Sequence, residues 1–397
     1  MRGASLSRAS TPATLPVMTE PEREEPFVEE AFERLAQDLK RSFGEWGKGH
    51  GAWSEDRFAE LAIRAFGVQY RGNRAYRLYC RARGIVPDLV DDWRSIPPVP
   101  TAAFGSVDLV VGNVPAKILT FRTSGTSRGR TRRGRHRVPD PGLYRAALRP
   151  AFRRYVLSGL TYPPSIITLL PSFTFSPDSS LGWMLDDVRE AFGGPGSVST
   201  AVPEGVDWEK LHGSVERARV QGRPVCLLGT TLSLASWLSR LEESETRHEL
   251  PAGSRIMDTG GAKGSPATDR SDVMARLGVR LGIPPDRIVN EFGMTELLSQ
   301  RYDRVAGQAG SSGALEGPPW LRTRVLDPVT LEELPEGEVG VLSHFDLANA
   351  GSVCHVLTED LGSVAGGLLR WHGRVAGSPP RGCSLATAEL LAAQTDA

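Results

Sequence analysis

The chain has 397 residues, more than one ordinary domain, and its 40% hydrophobic and 24% charged residues are typical of a globular protein. Lysine plus arginine and aspartate plus glutamate number 47 each. This balance excludes a protein whose whole surface binds nucleic acid by its charge.

The cysteines are few and widely spaced. Cys80, Cys226, Cys354 and Cys383 match neither a zinc site nor a Cys-x-x-Cys redox motif. Together with the lack of a secretory segment, they predict a reducing, cytoplasmic setting. The longest apolar run, 224–238, is interrupted by glycine, threonine and serine, so we expect no membrane span.

The amino-terminal part predicts a tail followed by helices. Residues 1–24 are rich in Ser, Thr, Pro, Arg and Glu, which predicts a disordered tail. Apolar residues at helical spacing predict an amphipathic helix over 26–44. Ser54 caps a second predicted helix, and a third covers 73–83. The prolines of 96–104 predict an extended connector that lies over the body.

The stretch 121–136, FRTSGTSRGRTRRGRH, combines hydroxyl groups, glycines and arginines. Backbone N–H groups and hydroxyls of such a loop can hold phosphate oxygens, while guanidinium groups balance the charge. It is not the usual P-loop, because no Lys-Ser or Lys-Thr follows its last glycine. A polyphosphate site, a solvated basic loop and a nucleic-acid contact all fit the stretch by itself.

Beyond this stretch, strand-like runs alternate with helical patterns. The predicted strands are 165–170, 224–228, 255–257 and 287–290. The predicted helices are 181–192, 208–221, 232–241 and 268–281. This alternation predicts an α/β fold with a mainly parallel sheet and helices on both faces. Short strands separated by Gly/Pro turns then predict an antiparallel β sub-domain: 321–326, 338–344, 352–357 and 368–372.

Polar clusters follow four of the predicted strands. They begin at Pro171, Gly229, Asp258 and Asn290. Parallel sheets bind ligands at the carboxyl ends of their strands, so these clusters are candidates for one shared site. Within the third cluster, Gly260-Gly261 could offer bare backbone to a flat ring or form a tight turn with positive φ.

Three further side chains could carry chemistry. Glu296 follows a glycine turn and Thr295, which suits either a carboxylate that holds Mg²⁺ on a nucleotide or a first-turn acid of a helix. Asp360 ends a predicted strand and could bind a ribose diol or serve as a turn residue. Cys383 lies beside an arginine, just before a predicted helix over 385–394. The arginine and the helix start both lower the pKa of a thiol, which favours a nucleophilic role for Cys383. The alternative is a dispensable thiol in the tail.

In their order along the chain, these segments resemble the adenylate-forming ligase superfamily. They are most similar to its acyl-protein synthetase (LuxE) family and more distantly to phenylacetate–CoA ligases. The segment similar to the family's phosphate loop is Thr123-Ser124-Gly125-Thr126-Ser127. The segments similar to its adenine-side loop and its aromatic-Gly-Met-Thr-Glu motif are Thr259-Gly260-Gly261-Ala262-Lys263-Gly264 and Phe292-Gly293-Met294-Thr295-Glu296. Those similar to its closing β region, hinge and acylated cysteine are Asp346-Leu347-Ala348-Asn349, Thr358-Glu359-Asp360, Gly373-Arg374 and Arg381-Gly382-Cys383-Ser384.

The resemblance implies an adenylation domain over 25–372, with parallel sheets flanked by helices plus a β sub-domain, and a short, truncated C-terminal arm over 373–397. It implies that ATP and Mg²⁺ activate a carboxylic acid, by family a fatty acid, as acyl-AMP. In such a reaction Glu296 would hold the metal and Asp360 the ribose hydroxyls. The rest of the implied nucleotide site comprises Thr123, Ser124, Gly125, Thr126, Ser127, Gly260, Gly261, Phe292, Gly293, Thr295 and Arg374. The acyl group would pass to Cys383 and then to a partner such as an acyl reductase or another acyl-transfer protein.

The segment after Gly373-Arg374 contains no lysine, whereas most of the superfamily carries a catalytic lysine on a C-terminal domain of about one hundred residues. This difference favours Cys383 over a CoA-binding lid. Arg128 stands where the family has glycine, and Ala262 replaces a common aromatic residue. The alternatives are an acid–CoA or acid–carrier-protein ligase, in which Cys383 is incidental, and a non-catalytic binding subunit. Nucleic-acid binding is disfavoured by the neutral net charge and the lack of interleaved aromatic residues.

Overall fold

The computed structural model describes residues 25–50, 53–113, 117–123, 133–260, 269–309, 313–375 and 379–395. Their α-helices are α1 (Glu25–Gly47), α2 (Glu55–Gly72), α3 (Arg74–Ala82), α4 (Pro141–Tyr155), α5 (Ser180–Phe192), α6 (Trp208–Val220), α7 (Thr231–Glu243), α8 (Arg270–Leu281) and α9 (Arg381–Thr395). Short 3₁₀ helices cover Pro87–Leu89, Trp93–Ser95, Thr101–Gly105, Pro285–Arg287 and Leu347–Asn349. Across these residues, no helix is both long enough and apolar enough to span a bilayer.

The strands of the same residues group into two larger sheets and two short hairpins. They are β1 (Val99–Pro100), β2 (Leu119–Arg122), β3 (Arg135–Val138), β4 (Ser165–Thr168), β5 (Val198–Ser199), β6 (Ala201–Val202), β7 (Gly205–Val206), β8 (Val225–Thr230), β9 (Arg255–Thr259), β10 (Ile288–Phe292), β11 (Arg301–Tyr302), β12 (Leu321–Leu326), β13 (Gly340–Asp346), β14 (His355–Ala365) and β15 (Leu368–Arg374).

The first sheet has the strand order β11-β10-β9-β8-β4-β5. Its neighbours from β10 to β5 run parallel, and β11 closes one edge antiparallel to β10. Its inner strands are buried on both faces, which explains their continuous apolar runs. The predicted mainly parallel sheet is therefore confirmed, and β8, β9 and β10 end side by side at one edge.

The second sheet is formed by the carboxy-terminal half of the chain. Strands β12, β13, β14 and β15 pair antiparallel, as predicted. Strand β1, from the proline-rich connector, adds to β14 in parallel, with Val99 opposite Val356. The sequence predicted that this connector crosses the body but not that it becomes a strand.

The amino-terminal helices follow the sequence prediction closely. The Ser54 hydroxyl accepts a hydrogen bond from the Arg57 backbone N–H at 3.1 Å, which caps α2 as expected. Helix α4 was not predicted. It begins at Pro141 after an Asp140 cap and continues through Pro150. A Cβ added to Gly47 of α1 would lie 2.5 Å from the Pro150 Cβ, so glycine permits the close approach of α1 to α4.

The carboxy-terminal helix α9 is docked against the body. Its Gln394 side chain donates to the Ala75 carbonyl oxygen of α3 at 3.1 Å, and its Glu389 pairs with Arg83. The inner face of α9 is buried, including Ala386 and Leu390. The helix begins at Arg381, four residues earlier than the sequence predicted.

Candidate active site

Side chains join the ends of β8, β9 and β10 at one edge of the parallel sheet. The Thr231 hydroxyl lies 3.0 Å from Asp258 Oδ2 and 2.5 Å from the Gly260 carbonyl oxygen. The Thr259 hydroxyl donates to the buried Glu291 carboxylate, across the β9–β10 pair. The polar segments that the sequence placed after separate strands are therefore in direct contact.

Asp258 links this edge of the sheet to α8. Its carboxylate is fully buried and accepts two hydrogen bonds from the Arg270 guanidinium of α8, at 2.6 and 2.8 Å. This pair joins the end of β9 to the start of α8. Gly260 has φ +71°, and a Cβ there would meet nothing within 4 Å. The positive φ fits the tight-turn interpretation of Gly260, and the open space beside its Cα fits the interpretation in which bare backbone faces a ligand.

Thr295 and Glu296 lie in a turn rather than at the start of a helix, so the alternative of a first-turn helix acid is wrong. The turn is held through its carbonyl oxygens. The Thr295 carbonyl accepts from His136 Nδ1 and the Glu296 carbonyl from Asn349 Nδ2, each at 2.8 Å. Only 8% of the Glu296 surface is exposed, and burial raises the pKa of its carboxyl to about 7, against the opposing charge of Arg374.

The segment after Glu296 is anchored by Asp346. One carboxylate oxygen of Asp346 accepts from the Leu298 and Ser299 backbone N–H groups at 3.0 and 2.8 Å, and the other accepts from the Ser299 hydroxyl at 2.7 Å. The sequence identified the Asp346–Asn349 segment only by its resemblance to a family segment. The structure shows a physical role: it orients the backbone that carries Glu296.

Asp360 and Arg374 face each other across β14 and β15. Arg374 Nε donates to Asp360 Oδ1 at 3.2 Å, and 5% of Asp360 is exposed. The charges of both residues act on the Glu296 carboxyl. Three residues predicted from separate motifs, Glu296, Asp360 and Arg374, are thus brought into one electrostatic environment.

Phe292 and Gly293, which precede the turn, shape the adjoining surface. The Phe292 ring centroid is 6.3 Å from that of Trp371, which is 43% exposed on β15. Gly293 is tightly placed, because a Cβ there would lie 2.5 Å from Glu291 Oε1. The sequence did not single out Trp371, although it lies three residues before Arg374.

Thr123 follows β2 at the end of the β2–β3 hairpin where the chain passes from one strand to the other. Thr123 N donates to the Gly134 carbonyl oxygen at 3.0 Å, and Gly134 N donates to the Thr123 hydroxyl at 2.9 Å. Arg133 clamps this end: its Nε donates to the Thr123 carbonyl at 2.5 Å and its Nη1 to Asp178 at 2.7 Å. The other predicted phosphate-loop and adenine-side residues lie outside the described residues: Ser124, Gly125, Thr126, Ser127 and Gly261.

Part of the basic stretch is neutralised within the protein. Arg135 and Arg137 pair with Asp108 at 3.3 and 3.1 Å, and Arg133 pairs with Asp178. Three of the seven arginines between Arg122 and Arg137 therefore stabilise the fold around the hairpin. The sequence interpretation, in which guanidinium groups of the stretch balance a ligand's charge, does not extend to these three.

Cys383 differs most from its prediction. It is the third residue of α9, 3% exposed, and its thiol donates to the Thr358 carbonyl oxygen at 3.3 Å. It packs in an apolar cluster with Val341 and Leu357. Burial raises the pKa of the thiol to about 12. The expected lowering by the helix terminus is wrong for the docked thiol, because removal from water dominates.

The comparisons with known proteins agree with this architecture. Residues 52–391 match the family described as acyl-protein synthetase, LuxE. The chain is 23% identical over 358 residues to the long-chain-fatty-acid–luciferin-component ligase of Vibrio harveyi, covering 87% of this chain and 92% of that protein. It is 23% identical over 312 residues to the ligase of the same name from Aliivibrio fischeri, covering 77% and 78% of the two chains.

Among solved structures, an open conformation of 2-hydroxyisobutyryl-CoA ligase in complex with 2-HIB-AMP and CoA superposes with a TM-score of 0.56 at 15% identity. The match covers 81% of this chain and 76% of that one. At this identity the likeness concerns the fold, which is that of the adenylate-forming ligases. With the family match over most of its length, the chain belongs to the acyl-protein synthetase (LuxE) family.

Proposed function

We propose that this protein activates a carboxylic acid with ATP and transfers the acyl group to a thiol. The observation that carries the proposal is the convergence of Glu296, Asp360 and Arg374, which come from three segments and share one environment. A metal–nucleotide substrate needs three groups. They are a carboxylate that can hold the metal, a second carboxylate that can hold the ribose diol, and a cation.

The activation step forms one bond and breaks one bond. A carboxylate oxygen of the acid attacks the α-phosphorus of ATP, the α–β phosphoanhydride bond breaks, and pyrophosphate leaves. In the second step a thiolate sulfur attacks the acyl carbon, and the bond to AMP breaks. The thiol proton passes to solvent. The first step gives the acyl carbon AMP as a good leaving group, and the second step uses that activation to form a thioester.

The described residues fit a magnesium–nucleotide ligand. Glu296 offers hard oxygen donors, and Mg²⁺ in nucleotide sites is commonly held by one or two carboxylates together with phosphate oxygens. No group of three or more His, Cys, Asp or Glu side chains among the described residues is arranged as a metal cage, so phosphates would complete the coordination. Bound there, the ion would neutralise phosphate charge. Asp360 would hold the ribose hydroxyls and Gly260 would face the base.

We infer a long-chain fatty acid as the substrate class and an acyl-accepting protein as the partner. The printed names of the two curated relatives support the acid, since both are called long-chain-fatty-acid–luciferin-component ligases. A reductase that consumes the thioester is the partner that this chemistry requires if the acid is to become an aldehyde.

We further propose that residues 373–397 act as an arm and that Cys383 is the internal acceptor. Since the docked thiol is buried and its pKa is about 12, transfer requires α9 to leave the body before the sulfur can attack. The burial of Cys383 also favours a second candidate function, in which an external thiol such as CoA or a carrier protein is the acceptor.

One experiment separates these possibilities. The wild-type protein is incubated with a panel of carboxylic acids, Mg²⁺ and ATP, and ATP–pyrophosphate exchange is measured, followed by intact-mass analysis. We expect acid-dependent exchange and a hydroxylamine-labile acyl adduct that is lost in Cys383→Ser while exchange is kept. AMP formation that depends on CoA and is unchanged in Cys383→Ser would select the external acceptor. The absence of exchange with every acid would contradict both candidates.

A further inference from the structure

The turn that carries Glu296 lies between two structural elements, the β2–β3 hairpin and the loop that follows β13. It has no helical or sheet ladder of its own, so its backbone depends on bonds from these neighbours. The loop side contributes Asn349, which donates to the Glu296 carbonyl. The hairpin side contributes His136, which bonds the Thr295 carbonyl.

His136 is placed to act as a rigid spacer. It lies on β3 opposite Phe121, two residues from the Gly134–Thr123 pair that closes the hairpin. The imidazole is 1% exposed, and the Phe104 ring packs edge-to-face against it with centroids 5.6 Å apart. A ring held in this way has little freedom to rotate, so it transmits the position of the hairpin to the turn.

The hydrogen bonds of the ring fix its tautomer. A backbone carbonyl oxygen can only accept, so Nδ1 carries the proton that bonds Thr295. Burial keeps the ring neutral at pH 7, because it lowers the pKa of His136 to about 4. Nε2 is then an acceptor, and it takes a hydrogen bond from the Ser352 hydroxyl at 2.9 Å. Ser352 N also donates to the Asn349 carbonyl oxygen at 2.8 Å, so both supports of the turn are joined.

We propose that His136 is a positioning residue for acid activation: its Nδ1–H holds the Thr295–Glu296 backbone at a fixed separation from the hairpin end formed by Thr123 and Gly134. This inference rests on the proposed function, in which Glu296 holds the metal and the segment after Thr123 holds phosphates. Metal and phosphates must meet in one geometry, so the spacing between their supports affects the reaction directly.

Two substitutions separate the two ring nitrogens. The amide of Asn reaches the position of Nδ1, and the amide of Gln reaches that of Nε2. His136→Asn therefore keeps a donor for the Thr295 carbonyl, whereas His136→Gln keeps only the contact with Ser352. Ser352→Ala is the matched third variant, because it removes the Nε2 partner and leaves the Thr295 bond intact.

The test measures ATP–pyrophosphate exchange against Mg²⁺ concentration at saturating ATP, with thermal melting of each variant as the fold control. We expect His136→Gln to need roughly 10- to 100-fold more Mg²⁺ for half-maximal exchange, as for other residues that orient a metal ligand. His136→Asn and Ser352→Ala should stay within about threefold of wild type, well below that range.

Two outcomes would overturn the proposal. One is equal impairment of the Asn and Gln variants. Another is a Gln variant that loses exchange only in proportion to its loss of folded protein and keeps the wild-type Mg²⁺ response. These results differ from a failure of the proposed function itself, in which the wild-type protein would show no acid-dependent exchange at all.

Discussion

Weakening the docking of α9 should expose Cys383 without unfolding the body. The perturbation is Leu390→Ala, which truncates a fully buried side chain on the inner face of α9. Truncation of a buried leucine to alanine typically costs about 2–5 kcal/mol, from lost transfer free energy and the cavity left behind. The substitution destabilises the docked state of α9 by this free energy. If α9 opens locally, the free energy of opening falls by the same amount.

The expected effect on thiol reactivity follows from this cost. When redocking is faster than alkylation, the observed rate is the opening equilibrium constant multiplied by the rate of the exposed thiol. The lower bound of 2 kcal/mol corresponds to about a 30-fold faster alkylation of Cys383, since 1.4 kcal/mol is tenfold. The assay uses dilute iodoacetamide at 25 °C, with the modified cysteine identified by peptide mass spectrometry.

A matched control distinguishes local from global opening. Leu277→Ala removes an equally buried leucine from α8, which belongs to a different apolar cluster from Leu390. It should lower global stability by a similar amount and accelerate Cys226, a buried core thiol of β8, but leave the local opening of α9 and the rate of Cys383 unchanged. Equal acceleration of Cys383 by both variants would show that the thiol is exposed only by global unfolding, and the arm interpretation would fail.

Three further predictions concern the thiol and the site. Because burial raises the pKa of the docked Cys383 thiol to about 12, its alkylation rate should keep rising with pH beyond about 8.5, the ordinary pKa of an exposed thiol; a plateau near about 8.5 would show that the thiol is already exposed in the resting protein. Asp360→Asn should raise the KM for ATP about 10- to 100-fold, the worth of one hydrogen bond to a charged group, measured by pyrophosphate exchange; an unchanged KM contradicts a ribose role. Arg133→Lys cannot bridge both Thr123 and Asp178 and should raise the same KM about tenfold, by the lower bound for such a bond; a wild-type KM would show that the clamp is dispensable.

Local signals predicted the elements that depend on local physics. Ser54 caps α2 because its hydroxyl reaches a backbone N–H within the same turn, and that geometry is contained in the sequence. Helix α4 was missed because Pro150, in its interior, is normally a stop signal. What keeps α4 together is tertiary packing, including the close contact between Pro150 and Gly47, and no local pattern contains it.

The site was predictable as a set of segments but not as a network. Parallel pairing places the ends of β9 and β10 together, so the positions of Gly260 and Phe292 at one edge followed from topology. The bonds to Thr295 from His136 and to Glu296 from Asn349 span 159 and 53 residues. Such contacts have no spacing signature, and a buried histidine in a basic stretch gives no sign of its partner.

The pKa of Cys383 was predicted in the wrong direction for a related reason. Rules for a cysteine at a helix terminus apply to a thiol that water can reach, whereas the face of α9 that carries it also carries Ala386 and Leu390. These residues, at i, i+3 and i+7, form an apolar stripe, and the sequence already contained this sign that Cys383 faces inward.

The apolar stripe favours a docked α9, whereas the proposed chemistry requires α9 to undock. A thiol that is buried and protonated is protected from oxidation and from premature acylation, but it can accept an acyl group only after the stripe separates from the body. On the proposal that Cys383 is the acceptor, the free energy of α9 docking is a direct component of the barrier to transfer, and any variant that weakens the stripe should speed acylation as long as adenylate formation is not limiting.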